Sequence, residues 1–144
     1  MQSDVGYKFL THTTDAYIEA VGFTLEESFG YAATAMFDTM CNIATVSNSL
    51  VERIHVEGSD EVSLLYDWLE ALLLKFEIEG RVFSVFQARI FRRGSLLVLD
   101  ADAIGEMYDK KKHGSKVEVK AVTFHRMEIL RRSPLTIVRF ILDL

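Results

Sequence analysis

Residues 58–80, GSDEVSLLYDWLEALLLKFEIEG, contain a helix together with its start and stop signals. Gly58 and Ser59 form a turn, and Asp60 is a residue type that caps helix N-termini. Behind it, apolar residues recur every three or four positions, which is typical of a helix that buries one broad face. These residues are Val62, Leu64, Leu65, Tyr66, Trp68, Leu69, Leu72, Leu73, Leu74 and Phe76. The helix is expected to end near Gly80, so the segment predicts a long central helix.

A second long helix is predicted upstream of this one. Thr24-Leu25-Glu26-Glu27 has the form of a capping box, and apolar residues then follow at helical spacing to about residue 40. Residues 16–21 predict a short strand that ends at Gly22. Residues 50–57 alternate between apolar and charged side chains, which is typical of a half-buried strand.

The chain downstream of the central helix has β-like patterns throughout. Residues 82–91 and 96–103 flank Arg92-Arg93-Gly94-Ser95, which predicts a hairpin. Residues 116–130 alternate and predict a strand that carries Lys120 on its charged face, and residues 135–144 predict a last strand. The predicted fold is therefore α+β: two long helices packed on a mostly antiparallel sheet of about six strands, in one compact domain spanning residues 1–144.

Composition narrows the class of protein. A chain of 144 residues with 49% hydrophobic content can bury a core without disulfides or structural metal. The net charge of −5 argues against an autonomous nucleic-acid binder, and the only cysteine, Cys41, excludes a cysteine-rich zinc site. The sequence shows no signal-peptide or membrane-spanning pattern, so we expect a soluble cytoplasmic protein without membrane association.

Polar residues at the two chain ends form the first candidate site. Asp15 precedes a predicted strand, and Asp143 stands beside the α-carboxylate of Leu144. If these groups meet, their hard oxygen atoms suit calcium, magnesium or manganese better than zinc or copper. The alternative is that Asp15 is an ordinary turn residue and Asp143 a solvated charge.

A second candidate lies in the polar segment 105–114, which contains Lys112 and His113 and precedes Lys120. Basic side chains in such a segment can contact phosphate as point charges. The alternative is a solvated loop, because runs of charge commonly serve solubility.

Three segments, taken together, resemble the archease family. They are residues 7–15, YKFLTHTTD, residues 65–69, LYDWL, and residues 117–125, VEVKAVTFH. A Gly-Glu pair and Lys112-His113 precede the third segment, and Asp143 is the penultimate residue. This order and spacing are more specific than any single motif, and the similarity covers nearly the whole chain.

The resemblance implies an activator rather than an enzyme. Members of this family stimulate RtcB-type RNA ligases in tRNA splicing by promoting ligase guanylylation and multiple turnover, so association with tRNA would be indirect. The resemblance assigns a divalent cation, calcium with magnesium or manganese as alternatives, to Asp15, Asp143 and Leu144. It also assigns ligase activation to Lys120 and Asp15. His12, Lys112 and His113 are candidates for supporting hydrogen bonds or a phosphate contact.

Two other functions are compatible with the residues. A metal-dependent hydrolase could use Asp15 and Asp143 to activate water, although the only evident general bases are His12 and His113. A chaperone-like modulator of RNA-modifying enzymes would require an exposed apolar patch. The sequence leaves the oligomeric state open.

Overall fold

The computed structural model describes residues 5–11 and 14–144, which form one α+β domain. The two long helices predicted from the sequence are present, and among the described residues there are seven strands, one further short α-helix and a 3-10 turn at Ile43–Thr45. The elements are β1 (Gly6–Leu10), β2 (Ala16–Gly22), α1 (Leu25–Met40), β3 (Leu50–Gly58), α2 (Glu61–Glu79), β4 (Arg81–Arg93), β5 (Leu96–Met107), α3 (Lys110–His113), β6 (Ala121–Arg132) and β7 (Leu135–Asp143).

The strands form two antiparallel sheets, of order β1-β2-β7-β6 and β3-β5-β4. Helix α1 packs against β2 and β7 of the first sheet and β4 of the second, and α2 packs against β6 and β3. The helices therefore lie between the sheets. The α+β class is confirmed, but the strands are divided between two sheets, because alternation along a strand does not say which strand it pairs with.

The capping box predicted at the start of α1 is present. Thr24 Oγ1 accepts a hydrogen bond from the Glu27 N–H at 3.1 Å, and Glu27 Oε1 accepts one from the Phe23 N–H at 2.8 Å. Such a cap stabilises a helix by about 1 kcal/mol. Gly22 is needed at the entry to α1, because a Cβ atom there would lie 2.6 Å from Glu27 Cβ and 2.8 Å from the Ser28 nitrogen.

Helix α2 begins and ends at the predicted residues. Asp60 Oδ1 accepts a hydrogen bond from the Ser63 N–H at 2.8 Å, and Gly80 adopts the left-handed conformation with φ 64°. Trp68 is fully buried between the sheets, and its Nε1–H donates to the Phe29 carbonyl at 2.9 Å. This bond satisfies the indole group and fixes α2 against α1.

A row of four charges crosses the outer face of the four-stranded sheet. Lys8, Glu19, Arg139 and Glu128 stand opposite one another on successive strands. Glu19 lies 3.2 Å from Lys8 and 2.8 Å from Arg139, and Arg139 lies 3.4 Å from Glu128. Burial opposes the ionisation of Glu19, but hydrogen bonds from Arg139 and Lys8 lower its pKa. The row holds the four strands in register.

The predicted strand 116–130 begins later than expected, at Ala121. Residues 114–120, which we call the strap, are irregular because their backbone groups bind a helix end instead of a strand. The Lys116 N–H donates to the Met40 carbonyl at 2.9 Å, and the Val117 N–H donates to the Thr39 carbonyl at 3.3 Å. These carbonyls belong to the last turn of α1, where the carbonyl groups of a helix have no hydrogen-bond partners within the helix. None of the described helices is long and apolar enough to cross a membrane.

Candidate functional site

The centre of the four-stranded sheet brings together the residues predicted from the two chain ends. Strand β7 pairs on one side with β2, where Ala16 stands opposite Leu142, and on the other side with β6, where Ala121 stands opposite Asp143. Asp15 directly precedes Ala16 and Asp143 directly follows Leu142, so the two acids flank the last β2–β7 pair. On the other side, Lys120 directly precedes Ala121 and Leu144 directly follows Asp143, so these two residues flank the last β6–β7 pair. We call Asp15, Lys120, Asp143 and Leu144 the sheet-end site.

The strap is joined to β7 at this site. The Lys120 N–H donates to the Asp143 carbonyl at 2.7 Å, which ties the end of the strap to the end of β7. The side chains of Lys120 and Asp143 are both exposed, whereas Asp15 and Leu144 are half-buried. The predicted position of Lys120 within a strand is wrong, but its side chain is outside the core as predicted. An ammonium group and carboxylates therefore share one end of the sheet.

The donors of the sheet-end site fit a hard cation in kind but are few in number. Asp15 and Asp143 offer carboxylate oxygens, and Leu144 offers main-chain oxygen. Within residues 5–11 and 14–144, no three His, Cys, Asp or Glu side chains form a group that could hold a metal ion. Calcium takes six to eight oxygen ligands, so the protein side chains could fill only part of its coordination sphere.

Asp38 fixes the strap from the side of α1. Its carboxylate accepts a hydrogen bond from the Lys116 ammonium at 2.9 Å and another from the Tyr7 hydroxyl at 3.0 Å. Burial raises the pKa of Tyr7 to about 12, aided by the hydrogen bond to Asp38 and its negative charge. The Lys116 ammonium also donates to the Asp38 carbonyl at 3.0 Å, where its charge complements the negative end of α1. Strand β1, α1 and the strap are thus tied together.

The second predicted candidate forms a separate group, which we call the Glu106 cluster: Ser47, Glu106, Lys112 and His113. The Glu106 carboxylate accepts hydrogen bonds from the Ser47 N–H at 2.8 Å, the Lys112 ammonium at 3.0 Å and His113 Nε2 at 2.7 Å. Hydrogen bonds from Lys112, the Ser47 N–H and His113, in order of decreasing effect, lower the pKa of Glu106 to about 2. The residue before Glu106 is glycine because a Cβ atom at position 105 would lie 2.7 Å from the Phe83 Cα, which is too close for packing.

His113 is a structural residue of this cluster. It is 1% exposed, and its Nδ1 accepts a hydrogen bond from the Asp109 N–H at 2.9 Å, so Nε2 carries the proton donated to Glu106. Both ring nitrogens are therefore engaged inside the protein, and the side chain is not available for the phosphate contact considered above. Lys112 also donates to Ser47 Oγ at 2.8 Å and is held in the same cluster. The remaining candidate, His12, lies outside the described residues.

Comparison with known proteins places the chain in a family. The model of the Archease protein family (MTH1598/TM1083) matches residues 7–144. Protein archease of Methanothermobacter thermautotrophicus is 43% identical over 139 residues, which cover 96% of this chain and 99% of that protein. Protein archease of Pyrococcus furiosus is 43% identical over 120 residues, with coverages of 83% and 84%. The chain belongs to the archease family.

Solved structures agree with this assignment. The solution structure of Methanobacterium thermoautotrophicum protein 1598 is similar with a TM-score of 0.84 and 40% identity, covering 96% of this chain and 99% of that one. The crystal structure of an archease and possible chaperone from Thermotoga maritima has a TM-score of 0.59 and 18% identity, with coverages of 95% and 96%. At that identity it shows the shared fold alone. The resemblance noted in the sequence is thus confirmed for the family.

Among the features of this archease family member that sequence reasoning missed are strand β1 and a large bulge in β6. Thr123 pairs with Ile141 and Glu128 with Arg139, so residues 124–127 stand opposite a single residue of β7. Arg126 has φ 59°, the only positive φ of a described residue other than glycine, and its guanidinium lies 5.5 Å from the centre of the Tyr17 ring. The bulge begins three residues beyond Ala121, the register partner of Asp143, and so adjoins the sheet-end site. Even alternation through residues 116–130 concealed it.

Proposed function

We propose that this archease family member is a metal-binding accessory protein that activates an RtcB-type tRNA-splicing RNA ligase by promoting its guanylylation and multiple turnover. Family membership supports the proposal at the level of the whole chain. The observation that carries it is the convergence of Asp15, Asp143, Leu144 and Lys120 at one end of the four-stranded sheet. In this function the protein is not itself an enzyme, and it associates with tRNA only through the ligase.

The partial donor set suits a cation that is shared with a partner. Asp15, Asp143 and the main-chain oxygen of Leu144 would hold a divalent ion, calcium or else magnesium or manganese, and leave ligand positions open. Phosphate oxygens or ligase carboxylates are hard ligands that can fill these positions. The bound ion supplies positive charge that neutralises phosphate. The protein's own contribution is to hold two carboxylates at the adjoining ends of β2 and β7.

Lys120 adds a cation of a different kind. Its ammonium is a flexible point charge with three donors, which suits phosphate or an acidic side chain of the ligase. The strap determines where it lies, because Lys116 and the Lys120 N–H attach the segment to α1 and β7. The exposed head group is therefore carried on a fixed backbone.

The hydrolase considered from the sequence has less support. Water activation by a metal enzyme needs a group that removes the proton, and His113 is buried with both ring nitrogens engaged. In the sheet-end site the two carboxylates would be taken up as metal ligands, and the remaining charged side chain among the described residues is the Lys120 ammonium. An assistant of another enzyme needs no general base of its own, and this favours the activator.

Single-turnover guanylylation of the cognate ligase tests the proposal. Radiolabelled GTP, the ligase and a divalent cation are mixed with and without this protein, and covalent label on the ligase is followed in time. We expect a faster rate with the wild-type protein, and a reduction of the stimulation by about tenfold or more for Asp15→Ala and for Lys120→Ala. Equal rates with and without wild-type protein would overturn the proposal.

A further inference from the structure

Helix α2 has one side that neither sheet covers. Its buried residues face α1 and the two sheets, while Tyr66, Glu70, Leu74 and Ile78 follow one another at four-residue spacing along the open side. Asp67 and Glu77 flank this row. We call these six residues the α2 stripe. With them goes Phe124 of the β6 bulge, which stacks on Tyr66 with ring centres 4.1 Å apart and planes 9° from parallel.

The apolar residues Leu74 and Ile78 of the stripe, and Phe124 beside it, are unusually exposed to solvent for their size. Ile78 is 75% exposed, Leu74 45% and Phe124 54%. The Phe124 ring has Tyr66 on one face, so its contact with solvent comes from its other face and edge. A single exposed apolar residue is unremarkable, but three in line along one helix and its neighbouring strand form a surface.

The charges of the stripe are all of one sign. Asp67, Glu70 and Glu77 make no ion pair with any described residue, and burial together with the charge of Glu70 raises the pKa of Asp67. The only basic residue of α2, Lys75, is directed to Glu52 at 2.8 Å and Glu79 at 3.2 Å. An ordinary solvated helix face intersperses acids with bases four residues apart, and this one does not.

One acid of the stripe, Glu77, also lies at an unfavourable place on the helix. Glu77 and Glu79 stand in the last turn, which contains no basic residue, and carbonyl groups make this end of a helix negative. A negative side chain at this end is unfavourable in the free protein, most of all at low salt. A cationic surface placed against α2 would relieve both the repulsion among the acids and the conflict of Glu77 with the helix end.

We propose that the α2 stripe and Phe124 form a docking surface for a basic, partly apolar protein surface, and that this surface belongs to the ligase. The second part rests on the proposed function. Charge complementarity points to this occupant. An enzyme that holds RNA must present lysine and arginine to phosphates, and the stripe presents three acids to such a surface. Leu74 and Ile78 supply apolar contact, and the open face of Phe124 can accept a guanidinium.

The position of the stripe suits contact with the same partner that reaches the sheet-end site. Phe124 follows Ala121, the register partner of Asp143, by three residues on β6. The stripe starts beside it at Tyr66 and runs along α2 to Ile78. One ligase molecule can therefore cover both, with the stripe governing how firmly it associates and the sheet-end site governing the rate of guanylylation.

Binding kinetics of the ligase on immobilised protein test the docking surface. We expect Glu70→Lys and Glu77→Lys each to lower kon several-fold, up to about tenfold, at low salt and less at high salt. The matched control is Glu26→Lys on α1, which changes the net charge equally away from the stripe. We expect Leu74→Ser and Ile78→Ser to raise koff, whereas Val51→Ser, an exposed apolar residue of β3, leaves it unchanged. Thermal melting confirms that each variant is folded.

Guanylylation then separates this proposal from the proposed function. The stripe variants should lose stimulation at limiting protein and regain the wild-type rate at saturating protein, because their sheet-end site is intact. Wild-type stimulation together with wild-type kon and koff for all stripe variants would overturn the docking surface alone. A wild-type protein that neither binds nor stimulates the ligase would overturn both proposals. A wild-type dimer that the stripe variants convert to monomers would assign the surface to a second copy and overturn the ligase as its occupant.

Discussion

The Glu106 cluster and the sheet-end site contain the same kinds of residue but use them differently. In the Glu106 cluster one carboxylate accepts three hydrogen bonds, and His113 is inside the protein with both nitrogens engaged. In the sheet-end site the side chains of Lys120, on the strap, and Asp143, on β7, are both exposed. Groups that satisfy one another hold the fold, whereas charges that face solvent at a strand end are available to a partner. The difference predicts that substitutions in the two regions separate stability from function.

The largest effect on stability is expected in the Glu106 cluster. His113→Ala removes a buried ring that stacks on Tyr108 and leaves the Asp109 N–H without its acceptor, and it should lower the free energy of unfolding by about 2 kcal/mol. Urea denaturation at neutral pH measures this. Guanylylation at saturating protein should persist below the new melting temperature. Unchanged stability would show that the cluster does not hold the fold.

The opposite pattern is expected for Asp15→Ala. It should weaken calcium or manganese binding by about tenfold or more, because a site with two carboxylate side chains has little redundancy. Isothermal titration calorimetry gives the affinity, and thermal melting in chelator should show a much smaller change than His113→Ala. Asp102→Ala, on the other sheet, is the control carboxylate. Equal affinity of the Asp15 variant and the wild type would remove Asp15 from the ligand set.

Lys120→Ala should affect function without affecting either stability or metal binding. The side chain is exposed, and such substitutions change the free energy of unfolding by no more than about 0.5 kcal/mol. Guanylylation should fall, and Lys120→Arg should restore it only in part, because guanidinium keeps the charge but not the compact ammonium geometry. Lys110→Ala, which replaces an exposed lysine of α3, is the matched control. Full stimulation by Lys120→Ala would show that Lys120 is an ordinary solvated residue without a role in ligase activation.

The smallest effect concerns the pH dependence of the Glu106 cluster. The folded-state pKa of Glu106 is lowered from its ordinary value of 4.5 to about 2. The ionised carboxylate therefore stabilises the folded protein at pH values above 4.5. This contribution should be lost as pH falls from about 5 towards 2. The wild type should therefore melt above Glu106→Gln by a constant margin at neutral pH, and the margin should shrink in acid. A margin that is independent of pH would contradict the assignment.

Local chemistry was sufficient to predict the helices and their limits. Thr24 and Asp60 cap the helix starts and Gly80 the end of α2, because a cap depends on residues within one turn of itself. The strand at residues 50–57 was predicted for the same reason, since alternation belongs to the strand alone. The family resemblance likewise rested on short segments whose order is visible along the chain.

Tertiary structure alone decided which strands pair and which polar residues face solvent. Strand β2 pairs with β7, more than a hundred residues away, and this pairing brings Asp15 and Asp143 to the same end of the sheet. The strap left the strand pattern because Lys116 and Val117 bind the carbonyls at the end of α1, and His113 became buried because Glu106 accepts its proton. Each of these outcomes depends on a partner distant in sequence. The pattern of a segment records what it can bury or bond, and only the folded chain determines which partner it meets.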